Sequence, residues 1–182
     1  ESKRILIFFL CKRKKPTKQA TATAPASTNT TCIPPSEWAK LAENPFVCAI
    51  KEASGNLAQA EQTLSLCGDK IDVYSGNDDQ IIPITSLGGK GCISVLSNIL
   101  PKESALMCKK FYDGDIKGAA QMQLDYIPLI NALFSEVNPI PVKAAMAKMG
   151  WCEDYLRLPL TPMEDSAREV LFNEMRKAGI NI

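Results

Sequence analysis

The stretch Phe46-Val47-Cys48-Ala49-Ile50-Lys51 sets a lysine directly behind five consecutive apolar residues. An apolar run of that length predicts a strand buried on both faces, with Lys51 at its C-terminal end. The C-terminal rim of parallel strands is where α/β proteins place their active sites. Burial disfavours a charged ammonium, and a neutral amine attacks a ketone carbon, so a lysine in that position can form a Schiff base. The same residue also fits a plainer reading, a rim lysine paired with a carboxylate such as Glu52 or Asp78. Composition closes off other chemistries. The chain contains no histidine, which excludes Ser-His-Asp and Cys-His nucleophile systems and the common His-bearing zinc sites. The 7 cysteines (Cys11, Cys32, Cys48, Cys67, Cys92, Cys108, Cys152) are odd in number, widely spaced and free of any C-x-x-C pair. That usage predicts reduced thiols in a cytosolic protein, with neither a disulfide framework nor a metal centre. Gly88-Gly89 is expected to shape a turn, because no G-x-G-x-x-G or Walker pattern follows to make it a phosphate cradle.

The elements that would carry Lys51 alternate along the chain. Pro34-Pro35 suits a helix entry, and the residues behind it place Trp38, Leu41 and Ala42 on one face of a helix ending near Asn44-Pro45. The strand before Lys51 follows. Asn56 to Leu66 then reads as a helix stopped by Gly68, and Ile71 to Ser75 as a second strand. Asp79 to Leu87 reads as a helix interrupted by Pro83 and stopped by Gly88-Gly89, and Cys92 to Val95 as a third strand. Strands separated by helices of this length predict parallel βαβ units, either part of a barrel or a doubly wound sheet. After Pro101 the strand patterns cease, and helices are expected near 102–113, 115–134, 139–149 and 165–178. Asn138, in the proline-rich loop before the third of these, is expected to fix that loop by a side-chain hydrogen bond to backbone.

Residues 1–31 differ in character from the rest. Lys3, Arg4, Lys12, Arg13, Lys14, Lys15 and Lys18 stand against the single acid Glu1, and Ala20 to Thr31 contains only Thr, Ala, Ser, Asn and Pro. Such a segment cannot bury enough apolar surface to offset its ordering entropy and is expected to be disordered. The net charge of +1 therefore hides an acidic body, which offers no basic face for nucleic acid. The apolar run Ile5 to Cys11 is far shorter than the roughly 20 residues that span a bilayer. Lys12 to Lys15 follow it, where a signal peptide puts its positive charges ahead, and no small-residue cleavage pattern comes directly after, so neither membrane insertion nor export is expected.

Several segments carry a family resemblance. Ala49-Ile50-Lys51-Glu52-Ala53-Ser54-Gly55-Asn56 resembles the segment holding the Schiff-base lysine in dihydrodipicolinate synthases. Tyr74-Ser75-Gly76-Asn77-Asp78 is similar to the end of the next strand in that family, and Gly88 to Val95 to its last barrel strand. Asn138-Pro139-Ile140-Pro141-Val142-Lys143 and Leu156-Arg157-Leu158-Pro159-Leu160-Thr161-Pro162 resemble two motifs of its C-terminal region. The resemblance covers about residues 32 to 182 in family order. It implies an α/β fold, the C-terminal part of a (β/α)8 TIM barrel over 32–100 followed by a C-terminal helical region over 101–182. It implies a lyase of lysine and diaminopimelate biosynthesis that condenses pyruvate with L-aspartate 4-semialdehyde, with Lys51 as the catalytic lysine. Gly76 would keep the pocket open, and the backbone of Ile93 would contact pyruvate. No metal or organic cofactor is implied; the partners are the two small substrates, in a homo-oligomer that is tetrameric in complete family members.

The chain also departs from the pattern. Complete members bring a Gly-Thr-Thr-Gly-Glu-like segment and a Thr-Tyr-Tyr proton relay from their first half, and neither occurs here. Where an Asn-Val-Pro-x-Arg-Thr-Gly stretch belongs, just before Ile33, the sequence reads Pro25-Ala26-Ser27-Thr28-Asn29-Thr30-Thr31, without arginine. Residues 1–31 are thus expected to be an unrelated or frame-shifted start joined to a C-terminal portion with impaired activity. Two other readings remain open at this point. One is another pyruvate-dependent Schiff-base aldolase of the N-acetylneuraminate lyase type; the other is a non-catalytic remnant or assembly partner.

Overall fold

The structure is a computed structural model that describes residues 20–23 and 33–182. Contacts divide the chain into two units, one running to Ser94 and the other over Val95–Ile182.

The first unit is built on a parallel sheet in the order β1 (Ala20–Thr23), β2 (Val47–Glu52), β3 (Asp72–Ser75). Each strand is followed by a helical connection, as the alternating pattern predicts. Helix α1 (Pro35–Leu41) begins with proline in its first turn, where the missing N–H costs no intrahelical bond. Helix α2 (Leu57–Cys67) is capped by Asn56, whose side chain accepts from Gln59 N at 3.3 Å, and it ends at Gly68. Helix α3 (Ile81–Ser86) follows a 3₁₀ turn at Asp78–Gln80. Pro83 was expected to interrupt this helix. It stands instead in the first turn, where backbone N–H groups have no intrahelical acceptor to lose.

Strand alternation sorts the sheet residues by face. Ile50 and Val73 pair in register and pack with Trp38, Ala60, Cys67, Ile71 and Ile84 in one apolar cluster drawn from all three helices. Ala49, Lys51, Asp72 and Tyr74 point to the opposite face, with Lys51 in register beside Tyr74.

The segment Cys92 to Val95, expected as a third strand, is not one. It forms a single parallel bridge, Ser75 with Cys92, flanked by Lys90 N to Val73 O at 2.7 Å and Ile93 N to Ser75 O at 2.7 Å. Val95 is already in helical conformation and leads into a 3₁₀ turn at Leu96–Asn98, which stops the ladder after one bridge. Strand β1 lies inside the segment expected to be disordered; the remainder of that segment, 1–19 and 24–31, lies outside the described residues.

The second unit is helical: α4 (Pro101–Tyr112), α5 (Ile116–Leu133), α6 (Ile140–Lys148) and α7 (Asp165–Lys177). Helix α5 packs on α4 and α7 around a core that includes Leu96, Leu129, Leu133, Ala145, Leu171 and Met175. Val95, Leu96 and Ile99 belong to this core, so the helical unit begins a few residues ahead of Pro101. Asp115 caps α5 by accepting from Gly118 N at 2.9 Å. Asn138 does not fix its loop as expected: its side chain is exposed and makes no hydrogen bond among the described residues, and Ile140 N to Val137 O, 2.9 Å, closes the turn. Among the described residues no helix is long and apolar enough to cross a membrane.

Candidate functional site

Lys51 is the fifth residue of the six-residue β2, half-buried at the C-terminal end of the strand, where the apolar run placed it. It forms no ion pair with Glu52 or Asp78, so the rim-pairing reading is not the one the chain adopts. Glu52 is denied to Lys51 by strand alternation, which turns successive side chains to opposite faces.

Gly76 lies one residue beyond β3 and is bonded across to β2, its N–H donating to Glu52 O at 2.6 Å. A Cβ built on Gly76 would lie 2.9 Å from both Cγ and Cε of Lys51 and 2.7 Å from Ala53 Cβ. Only hydrogen leaves the lysine stem its present path. Ile93 reaches the same rim one segment further on, its N–H held by Ser75 O. The fold thus brings Lys51, Gly76 and Ile93 to the C-terminal ends of three neighbouring parallel segments, far apart in sequence and adjacent through main-chain hydrogen bonds.

Two residues gain a part that the sequence did not single out. Glu52 is 1% exposed, and its Oε1 accepts from Ser54 N at 2.7 Å. Ser75 is fully buried, donates through Oγ to Asn77 O at 2.7 Å, and offers its own carbonyl to Ile93. A signal for Glu52 was available: alternation puts it on the face of Ile50, and a carboxylate on an apolar face must find a backbone donor. Among the described residues no cluster of acidic and cysteine side chains could hold a metal ion, and Cys48, Cys67, Cys92, Cys108 and Cys152 form no disulfide. Burial, with Asp69 nearby, pushes the Cys67 thiol up. That thiol is inert in the helix–sheet core, donating to Thr63 O.

The family model for the dihydrodipicolinate synthetase family matches residues 23–178. A 4-hydroxy-tetrahydrodipicolinate synthase of Lachnoclostridium phytofermentans is 52% identical over 134 residues, which is 74% of this chain and 46% of the relative. Among solved structures, dihydrodipicolinate synthase of Thermotoga maritima superposes with a TM-score of 0.85 at 34% identity, covering 88% of this chain and 56% of that one. The chloride-inhibited enzyme of Acinetobacter baumannii complexed with pyruvate gives 0.84 at 33%, covering 90% and 56%. The chain spans about half the length of the curated relatives it matches. Its architecture is the C-terminal part of a (β/α)8 barrel followed by a helical region, and with a family model matched across most of its length, the chain belongs to the dihydrodipicolinate synthetase family.

Proposed function

We propose that this chain carries the Schiff-base half of a 4-hydroxy-tetrahydrodipicolinate synthase site, with Lys51 as the nucleophile. The supporting observation is the geometry around the lysine: a half-buried lysine at the end of a parallel strand, with no carboxylate partner among the described residues and a glycine clearing its stem. The amine adds to the ketone of pyruvate and water leaves, giving an iminium that draws electrons from the adjacent methyl group. Loss of a methyl proton gives an enamine, which attacks the aldehyde carbon of L-aspartate 4-semialdehyde. The amino group of that substrate then attacks the iminium carbon, closing the ring and releasing Lys51. The backbone at Ile93 contacts pyruvate, and Gly76 keeps the pocket open.

The relay and carboxylate-binding segments of complete enzymes are not among these 182 residues. The step carried here is Schiff-base formation, and turnover by the chain alone is expected to be low, because positioned acid–base groups supply about 10²–10⁴-fold. The relatives named above are synthases, which favours this reading over an aldolase of the N-acetylneuraminate lyase type. The test is borohydride reduction of the chain incubated with pyruvate, followed by peptide mass spectrometry. An adduct on Lys51 that is absent from Lys51→Ala is the expected result. If a folded sample gives no adduct, the chain is a non-catalytic remnant or assembly partner and this reading is withdrawn.

A further inference from the structure

Glu52 follows Lys51 directly yet points to the other face of the sheet, where it is 1% exposed. Burying a carboxylate is costly unless its oxygens are used. One is: Oε1 accepts from Ser54 N at 2.7 Å, spanning the turn that leaves β2. The other, Oε2, is buried and has no hydrogen-bond partner among the described residues. The main-chain carbonyl of Glu52 meanwhile accepts Gly76 N at 2.6 Å, and Gly76 is the residue against which the Lys51 stem lies. Ser75, the register partner of Glu52, passes the connection on to Ile93 N. One residue therefore ties the end of β2 to its own outgoing turn through its side chain and to the end of β3 through its backbone.

We propose that Glu52 is the positioning residue for Lys51, acting through the Oε1 bond to Ser54 N, which holds the strand end and the Gly76 contact that together aim the lysine. The assignment rests on the Schiff-base reading above. A hydrogen bond from a backbone N–H to a side-chain oxygen needs an acceptor and not a charge, so the role survives in Glu52→Gln and is lost in Glu52→Met, which keeps size and burial. In the borohydride assay, Glu52→Met forms the Lys51 adduct at least about tenfold more slowly than the parent, since small misplacements of a reacting group carry large rate costs. Glu52→Gln restores it to near the parent rate.

Trp38, at 0% exposure in the core of the same unit, reports by fluorescence in a Trp151→Phe background whether each variant is folded. A second measurement keeps the test independent of pyruvate: acetic anhydride labelling of Lys51 relative to the exposed Lys40, with hydrogen exchange at the Ser54 amide. If the parent forms no adduct, the Schiff-base reading fails, and Glu52 is judged by this pair alone. Faster Ser54 exchange and a Lys51 to Lys40 ratio altered about threefold or more in Glu52→Met, both restored in Glu52→Gln, support the assignment. Unchanged labelling and exchange in Glu52→Met overturn it. So does a Glu52→Gln variant as impaired as Glu52→Met, which would make the charge, and not the acceptor, the working feature.

Discussion

Position 76 admits no atom beyond hydrogen without moving Lys51 or Ala53, and its backbone is not in the left-handed region, so the constraint there is steric alone. Gly76→Ala is expected to cost about 1–3 kcal/mol through overpacking. It should also lower the yield of borohydride-trapped pyruvate on Lys51; a variant that traps as fast as the parent would remove Gly76 from the site. The sequence made Lys51 legible through the apolar run in front of it, and Gly76 and Ile93 through resemblance alone. Glu52 was read only as a possible partner for Lys51, because its use of Ser54 N depends on how the turn folds back.

At the level of elements, two helices begin at side-chain caps, α2 at Asn56 and α5 at Asp115. Asn56 in front of α2 is a capping residue type, and it caps. Asn56→Ala is expected to lower stability by roughly 1 kcal/mol, measured as a shift in the denaturant midpoint with unchanged slope. Asp115 does the same for α5 and carries a pH dependence. The ammonium of Lys110 and then the N–H of Gly118 hold its carboxyl below the ordinary value of 3.8. A group depressed on folding contributes stability above its unfolded value and loses it as pH falls through the folded one. Thermal melts of the parent should therefore lose this contribution below pH about 4, whereas Asp115→Asn should show a shallower acid slope. Strand assignment followed the sequence less well: Cys92 to Val95 has an apolar pattern suited to a strand, yet Val95 and Leu96 are drawn into the helical core, and one bridge is all that forms.

Across the whole molecule, the sheet has two flanks. Among the described residues β1 pairs only with β2, so its outer side is an open edge. Strands with an unpaired side are templates for further pairing, which closed barrels avoid. The purified chain is expected to associate with itself or with a complementary half-barrel, and sedimentation over a range of concentrations tests this. A monomer with a single cooperative melt would refute it. Loss of Trp38 would act on the first unit: Trp38→Ala empties a fully buried site and should cost about 3–5 kcal/mol there. A melt followed by Trp38 fluorescence in a Trp151→Phe background locates that unit's transition.

The residue order by itself determined the alternation of strands and helices, the place of Lys51 at a strand end and the family, because each depends on local periodicity or on short contiguous motifs. Pro83 and Asn138 show where that stops. The first was compatible with a helix break or a helix start, and the second with a loop-fixing hydrogen bond that the exposed side chain never makes. Tertiary structure decided these, and it decided that Lys51 has no carboxylate partner among the described residues while Glu52 is buried behind it. It also decided that Gly76 and Ile93, distant in sequence from Lys51, arrive at its side. Main-chain bonds between parallel strands set those neighbours, and they exist only once the intervening helices have packed and brought the strands into register.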